Sequence, residues 1–123
     1  MQDWEVHVKR IATVVAVVVV GAGCGGNLGQ ADARDQATKA SCDWYDKCGE
    51  IGSGKRFATR DDCEVDVRAG WNSAWPYQEC NDRIPRDKLD VCISAIKITT
   101  CGNGFDIWNT LVVKCGKAEV CSG

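Results

Sequence analysis

From residue 32 onward, apolar residues recur every three or four positions, and this spacing predicts a helix. The helix is expected to begin near Asp32 and to end at Gly49, because glycine is a frequent helix terminator. Its apolar face is formed by Ala33, Ala37, Ala40, Trp44 and Cys48. The pattern indicates an amphipathic helix with one side against a core.

A second helix is predicted after a loop that contains three glycines, at residues 49–55. Thr59 followed three positions later by Asp62 is a variant of the capping box, which marks the start of a helix. Pro76 is expected to end this helix. Its apolar stripe is formed by Cys63, Val67, Trp71 and Trp75.

A third helix is predicted to start at Pro85, after a turn at residues 81–85. Its apolar face is formed by Leu89, Cys92, Ile93 and Ile96. In the tail, Trp108, Leu111, Val112 and Cys115 fit a short helix, although residues 110–113 can equally be extended. The predicted fold class is therefore all-α, a small bundle of three to four helices over residues 32–123.

The N-terminal segment has the features of an export signal. Lys9 and Arg10 precede an apolar run at residues 11–20, which is too short to span a membrane as a helix. Residues 21–24 resemble a bacterial lipobox, except that Gly21 stands where a larger aliphatic residue is usual. We expect a lipoprotein signal peptide at 1–23, a lipidated Cys24, and a flexible glycine-rich tether at 24–31. The alternative is ordinary cleavage that leaves Cys24 as a free or paired thiol.

The cysteine count supports lipidation. The chain has nine cysteines, and an odd number in an exported protein needs an explanation. A lipid on Cys24 leaves eight, enough for four disulfides in an oxidising compartment. These are Cys42, Cys48, Cys63, Cys80, Cys92, Cys101, Cys115 and Cys121. Their connectivity is open, and Cys48–Cys63 is our first choice, since that bond would clip the first two helices across their loop.

Charge and composition exclude several functions. Of the 15 basic and 17 acidic side chains, two of each lie in the leader, so the remaining chain has no basic excess for nucleic acid. The single histidine, His7, also precedes Cys24. Without histidine the chain lacks the commonest general base and nitrogen metal ligand, and it contains no Cys-x-x-Cys pair. We therefore expect no enzymatic activity, no metal and no cofactor.

Aromatic residues are the leading candidates for ligand contact. Trp44, Trp71, Trp75 and Trp108 could form a stacking surface, although tryptophans in small domains more often fill the core. The glycine-rich loop before Arg56 matches part of a phosphate-binding loop, but Arg56 replaces the required serine or threonine. It is better interpreted as a loop between helices.

The chain resembles small Cys-rich bacterial lipoproteins of uncharacterised function, some of which are labelled natural-product-biosynthesis lipoproteins. The resemblance begins at Cys24 and includes residues 42–48, 57–63 and 89–92 together with Cys101. It implies a lipid-anchored address and a disulfide-stapled fold. It implies no catalytic residues.

These observations predict a palmitate-bearing, lipid-anchored envelope protein that binds or scaffolds an envelope protein or a small-molecule ligand. A link to natural-product biosynthesis or export is implied by the resemblance. Gly25 stands where aspartate would signal retention at the inner membrane, so we expect the outer membrane. Two alternatives are a small accessory enzyme that uses carboxylates such as Asp43 and Asp46, and an inhibitor or immunity-like protein of an exported enzyme.

Overall fold

The computed structural model describes residues 26–102 and 113–121. The predicted signal peptide at 1–23, the lipidation site Cys24, Trp108 and the helix expected around it lie outside these residues. Within the described part, no helix is long and apolar enough to cross a bilayer.

Helices make up most of the described chain, and a two-stranded antiparallel ribbon joins its first residues to a later segment. In chain order the elements are β1 (Asn27–Leu28), α1 (Gln30–Lys47), α2 (Arg60–Ala74), α3 (Tyr77–Cys80), β2 (Ile84–Pro85), α4 (Arg86–Ile98) and α5 (Lys117–Val120). The predicted all-α class, stapled by disulfides, is confirmed.

The first helix, α1, lies between α2 and α4 and contacts both. Its predicted apolar face is buried at Ala33, Ala37, Ala40 and Trp44. Three of these four residues are alanines, whose small side chains let neighbouring helices approach closely. The helix ends where Gly49 adopts a positive φ of 73°, a conformation that favours glycine.

The second helix begins at the predicted capping box. The Thr59 hydroxyl accepts a hydrogen bond from the Asp62 amide at 3.1 Å, and the Asp62 carboxylate accepts one from the Thr59 amide at 3.1 Å. These bonds satisfy two N–H groups that the helix itself leaves without partners. The helix lies antiparallel to α1, because residue pairs that meet across the two helices run in opposite order: Asp43–Arg60, Cys42–Cys63 and Arg34–Asn72.

The predicted tether is wrong over residues 26–31, which belong to the folded domain. Leu28 pairs with Ile84 and Asn27 with Pro85, and the Arg86 amide donates to the Gly26 carbonyl at 2.9 Å. Leu28 also packs against the core. The segment is therefore ordered by a partner more than 50 residues away, a contact that its glycine-rich composition does not reveal.

A tight turn connects α3, a helix that was not predicted, to β2. Asn81 and Asp82 both have φ of 52°, and the Arg83 amide donates to the Cys80 carbonyl at 3.0 Å. Two consecutive residues with positive φ are typical of a type I′ turn, and asparagine and aspartate tolerate this conformation well. The predicted turn is confirmed at its start, whereas Ile84 and Pro85, which were included in it, form β2.

Four disulfides join the eight cysteines after Cys24, as predicted. The bonds are Cys42–Cys63, Cys48–Cys101, Cys80–Cys121 and Cys92–Cys115. The proposed Cys48–Cys63 bond is wrong. Because α1 and α2 are antiparallel and Arg60 already lies beside Asp43, Cys63 faces Cys42, whereas Cys48 lies beyond the start of α2.

The main core lies between α1, α2 and α4 and is closed by the C-terminal segment. It contains Trp71, Trp75, Ile84, Leu89 and Ile96, with Val120 from α5. A second, smaller cluster lies under the loop between α1 and α2, where Phe57 packs against the Cys42–Cys63 disulfide.

Candidate functional site

The three tryptophans described by the structure are core residues and form no exposed stacking surface. Trp44, Trp71 and Trp75 are each at most 6% exposed. The indole N–H of Trp75 donates to the Cys115 carbonyl at 2.8 Å, and that of Trp44 donates to the Thr99 carbonyl at 2.8 Å. The stacking role proposed for these three is therefore wrong, because burial removes their ring faces from any ligand. Trp108 lies outside the described residues.

The indole of Trp71 has a partner on α1. It donates to the Ser41 hydroxyl at 3.3 Å, and that hydroxyl donates to the Ala37 carbonyl at 2.7 Å. The rings of Trp71 and Trp75 lie 4.6 Å apart between centroids. The tryptophans thus fix helix positions through both packing and hydrogen bonds.

The carboxylate of Asp43, a candidate for catalysis, is part of an ion-pair network between α1 and α2. It binds Lys39 at 2.7 Å and Arg60 at 2.8 Å, and Arg60 also binds Glu64 at 3.0 Å. The pKa of Asp43 is lowered, and the largest cause is the hydrogen bond from Lys39; burial opposes this effect, and the bond and charge of Arg60 lower the pKa further. A general acid at neutral pH needs a raised pKa, so this environment favours a structural role.

We predict a small, pH-dependent contribution from this network. Because the folded protein lowers the pKa of Asp43, the stabilisation is present above the unfolded pKa of about 3.9 and is lost as pH falls through the lower folded value. The Asp43 side chain is 46% exposed, so Asp43→Asn should cost about 1 kcal/mol or less. Urea unfolding between pH 2 and pH 7 would measure this.

Asp46→Asn is the matched control, because Asp46 is exposed on the same helix and forms no ion pair within the described residues. It should leave stability nearly unchanged. The free energy of unfolding should differ less between the wild type and Asp43→Asn as the pH falls. A difference that grows towards low pH would contradict the proposed charge effect.

The acidic residues at the start of α2 serve the helix itself. Asp62 completes the capping box and Glu64 pairs with Arg60. Among the described residues, no group of three or more His, Cys, Asp or Glu side chains is placed to hold a metal ion. Asp61, like Asp62, lies in the first turn, where a negative charge interacts favourably with the helix dipole and stabilises the helix.

In the loop between α1 and α2, residues 49–58, the positively charged side chain of Arg56 lies over two aromatic rings. The Arg56 guanidinium lies 5.0 Å from the Tyr45 ring centroid and 5.6 Å from that of Phe57. Hydrogen bonds between Gly52 and Phe57 and between Phe57 and Glu50 close the loop. The loop follows a helix, and a phosphate-binding loop would follow a strand. Its exposed Arg56 can contact an anionic group.

Comparison with known proteins places most of this framework in one family. Residues 42–123, two thirds of the chain, match DUF6184, a family of unknown function. The chain belongs to DUF6184. No curated protein and no solved structure matches it. The matched range begins at Cys42 and therefore includes every cysteine of the four disulfides of this DUF6184 protein.

The Cys48–Cys101 bond is the one disulfide of this DUF6184 protein in which a cysteine is exposed. Cys101 is exposed and Cys48 is half-buried, whereas both cysteines of the Cys42–Cys63 bond are fully buried. Exposed disulfides are the more readily reduced, since the attacking thiolate must reach a sulfur atom. We predict that limiting reductant without denaturant opens Cys48–Cys101 first.

Alkylation of the partly reduced protein followed by peptide mapping would test this order. The Cys42–Cys63 bond provides the internal control, because its two sulfurs should remain protected until the domain opens. Labelling of Cys42 and Cys63 before Cys48 and Cys101 would refute the prediction.

A buried polar contact that was not predicted from the sequence holds the start of α1. The fully buried Gln30 side chain donates to the Trp75 carbonyl at 3.0 Å and accepts from the Asp82 amide at 2.7 Å. In return, Asp82 accepts from the Gln30 amide at 2.9 Å. A glutamine beside a glycine-rich segment gives no signal of this role, since both partners are distant in sequence.

Proposed function

We propose that this DUF6184 protein is a lipid-anchored, extracytoplasmic protein that binds or scaffolds a partner in the cell envelope. The observation that carries the proposal is the cysteine pairing. The four disulfides use all eight cysteines from Cys42 to Cys121, so Cys24 is the one cysteine that they leave over. Such a disulfide content is characteristic of exported proteins.

The lipobox-like sequence at residues 21–24 supports acylation of Cys24 as the use of that ninth cysteine. Acyl chains contribute about 0.8 kcal/mol per buried CH₂ group to membrane binding, so two or three chains hold a protein firmly. Gly25 after the modified cysteine favours the outer membrane. The resemblance to Cys-rich bacterial lipoproteins adds a proposed link to natural-product biosynthesis or export.

A binding role has more support than a catalytic one. The described tryptophans are buried, and the Asp43 carboxylate is paired with two cations that lower its pKa. The accessible surface of the described residues includes the Arg56 guanidinium, which lies over the Tyr45 ring. A disulfide-stapled domain that presents such a surface is suited to recognition.

We predict that Cys24→Ala releases the protein from the membrane fraction and leaves its fold intact. The variant removes the sulfur to which the lipid would be attached and touches none of the four disulfides. Cell fractionation gives the location, and intact mass under non-reducing conditions reports the lipid and the four bonds together.

The control is Ser53→Ala, an exposed change in the loop that should stay in the membrane fraction like the wild type. Persistent membrane association of the Cys24→Ala protein would contradict the anchor. A wild-type mass without fatty acid would contradict it as well.

A further inference from the structure

Only one residue, Gly25, separates Cys24 from Gly26, the first residue of the domain that the structure describes. Gly26 is already fixed, because its carbonyl accepts a hydrogen bond from the Arg86 amide at 2.9 Å. Two residues span at most about 7 Å when fully extended. The sulfur-bearing residue therefore lies close to the first bond of the domain, whatever the conformation between them.

This reach is about equal to the depth of one headgroup layer. A bilayer is about 40–45 Å thick with its headgroups and about 30 Å without them, which leaves roughly 5–7.5 Å on each side. An anchor at the boundary of the acyl chains would therefore hold Gly26 within or at the edge of the headgroups. A domain attached by a long linker would have no such constraint.

The two-stranded ribbon determines which other residues lie beside Gly26 and therefore at the same depth in the headgroup layer. Because Asn27 pairs with Pro85 and Leu28 with Ile84, the segment around β2 is adjacent to the first residues of the domain. We define residues 26–28 and 83–87 as the ribbon end. The register places Arg86 directly beside Gly26.

Resting on the proposed anchor, we infer that the ribbon end lies against the lipid headgroups of the membrane that holds the protein. Its chemistry suits lipid phosphates: Arg83 and Arg86 are exposed and form no ion pair with any other described residue. Asp87 is the exposed carboxylate of this end. The tether geometry sets the contact, and the two guanidinium groups supply partners for phosphate.

The opposite end of α1 then faces away from the membrane surface. The helix has 18 residues with a rise of about 1.5 Å per residue, so Lys47 lies about 26 Å along the axis from Gln30. The loop at residues 49–58, with Arg56, follows directly. Partners in the surrounding compartment would therefore meet this loop, whereas the ribbon end would be covered by lipid.

Paramagnetic relaxation can test the orientation. The acylated protein is reconstituted in lipid nanodiscs that contain a lipid with a gadolinium chelate on its headgroup, and amide relaxation is measured by NMR. We expect the amides of Leu28 and Arg86 to relax several-fold faster than those of Gly52 and Phe57. Equal enhancement at both ends would overturn the inference.

The matched control is an insertion of about 12 Gly and Ser residues between Gly25 and Gly26, which adds roughly 20 Å of flexible reach. The contrast between the two ends should then largely disappear. If it persists unchanged, the short tether does not set the orientation, and the inference fails.

Failure of the anchor itself would be recognised separately. Intact mass of the same sample shows whether Cys24 carries lipid. If it does not, the Cys24 thiol of residues 24–123 can be coupled to a maleimide lipid, which imposes the same attachment point. The relaxation contrast is expected in that sample too, and its absence there would refute the orientation independently of biological acylation.

Discussion

When all four disulfides are reduced, the domain is expected to lose its stable fold at 25 °C, so that heating no longer produces a cooperative unfolding transition. The bonds close loops with sequence separations of 21, 53, 41 and 23 residues. In the chain-entropy account each such loop contributes about 3–4 kcal/mol. The loops overlap, so these contributions are not additive, yet their combined effect is comparable to the roughly 5–15 kcal/mol of an ordinary domain.

Circular dichroism of the protein with and without a strong reductant, in the absence of denaturant, would measure this effect. The oxidised protein should give a sigmoidal thermal transition, and the reduced protein a shallow loss of helix signal. Removal of one bond at a time gives a graded comparison: the double variant C48A/C101A should retain a transition at a lower Tm. A reduced protein that still unfolds cooperatively near the oxidised Tm would show that the helical core alone stabilises the fold.

The second large effect is expected at Gln30. Gln30→Leu keeps the volume of the side chain but removes its two hydrogen bonds, so the buried Trp75 carbonyl and the Asp82 amide lose their partners. An unsatisfied buried group costs about 1–3 kcal/mol, which predicts a loss of about 2–4 kcal/mol here. For a domain of this size, such a loss lowers Tm by about 10 °C or more.

Gln36→Leu is the matched control, because Gln36 is an exposed glutamine on the same helix and the substitution is identical. It should change Tm by only a degree or two. Gln30→Glu adds a second test, since glutamate can accept from Asp82 but, when ionised, cannot donate to Trp75. A Gln30→Leu protein as stable as Gln36→Leu would show that the buried contact contributes little.

Local signals in the sequence were sufficient for the three long helices, α1, α2 and α4, but not for the four-residue helices α3 and α5. The capping residues Thr59 and Asp62 define the start of α2, and Pro76 follows its end. The 3.6-residue periodicity also identified the buried faces of α1 and α4, as Ala37 and Leu89 illustrate. These features depend on residues within one or two turns of each other, which is why they can be predicted from the chain alone.

The features that were missed depend on pairs of distant residues. The ribbon between Leu28 and Ile84 and the contact between Gln30 and Asp82 each join positions more than 50 apart, and nothing local indicates them. Disulfide connectivity belongs to the same class, as the incorrect Cys48–Cys63 pairing shows. Whether Trp75 fills the core or contacts a ligand depends on its burial. Its periodic spacing does not decide this, because that spacing is equally compatible with a core residue and a surface residue.

The connectivity of the disulfides has a consequence for biogenesis. None of the four bonds joins two cysteines that are neighbours in the sequence: Cys48 lies between Cys42 and Cys63, and Cys101 lies between Cys92 and Cys115. If the protein is exported as proposed and its thiols are oxidised in the order in which they emerge, the first bonds formed are non-native. Maturation then requires thiol exchange through mixed disulfides, so the yield of correctly folded protein should depend on a disulfide isomerase in the receiving compartment.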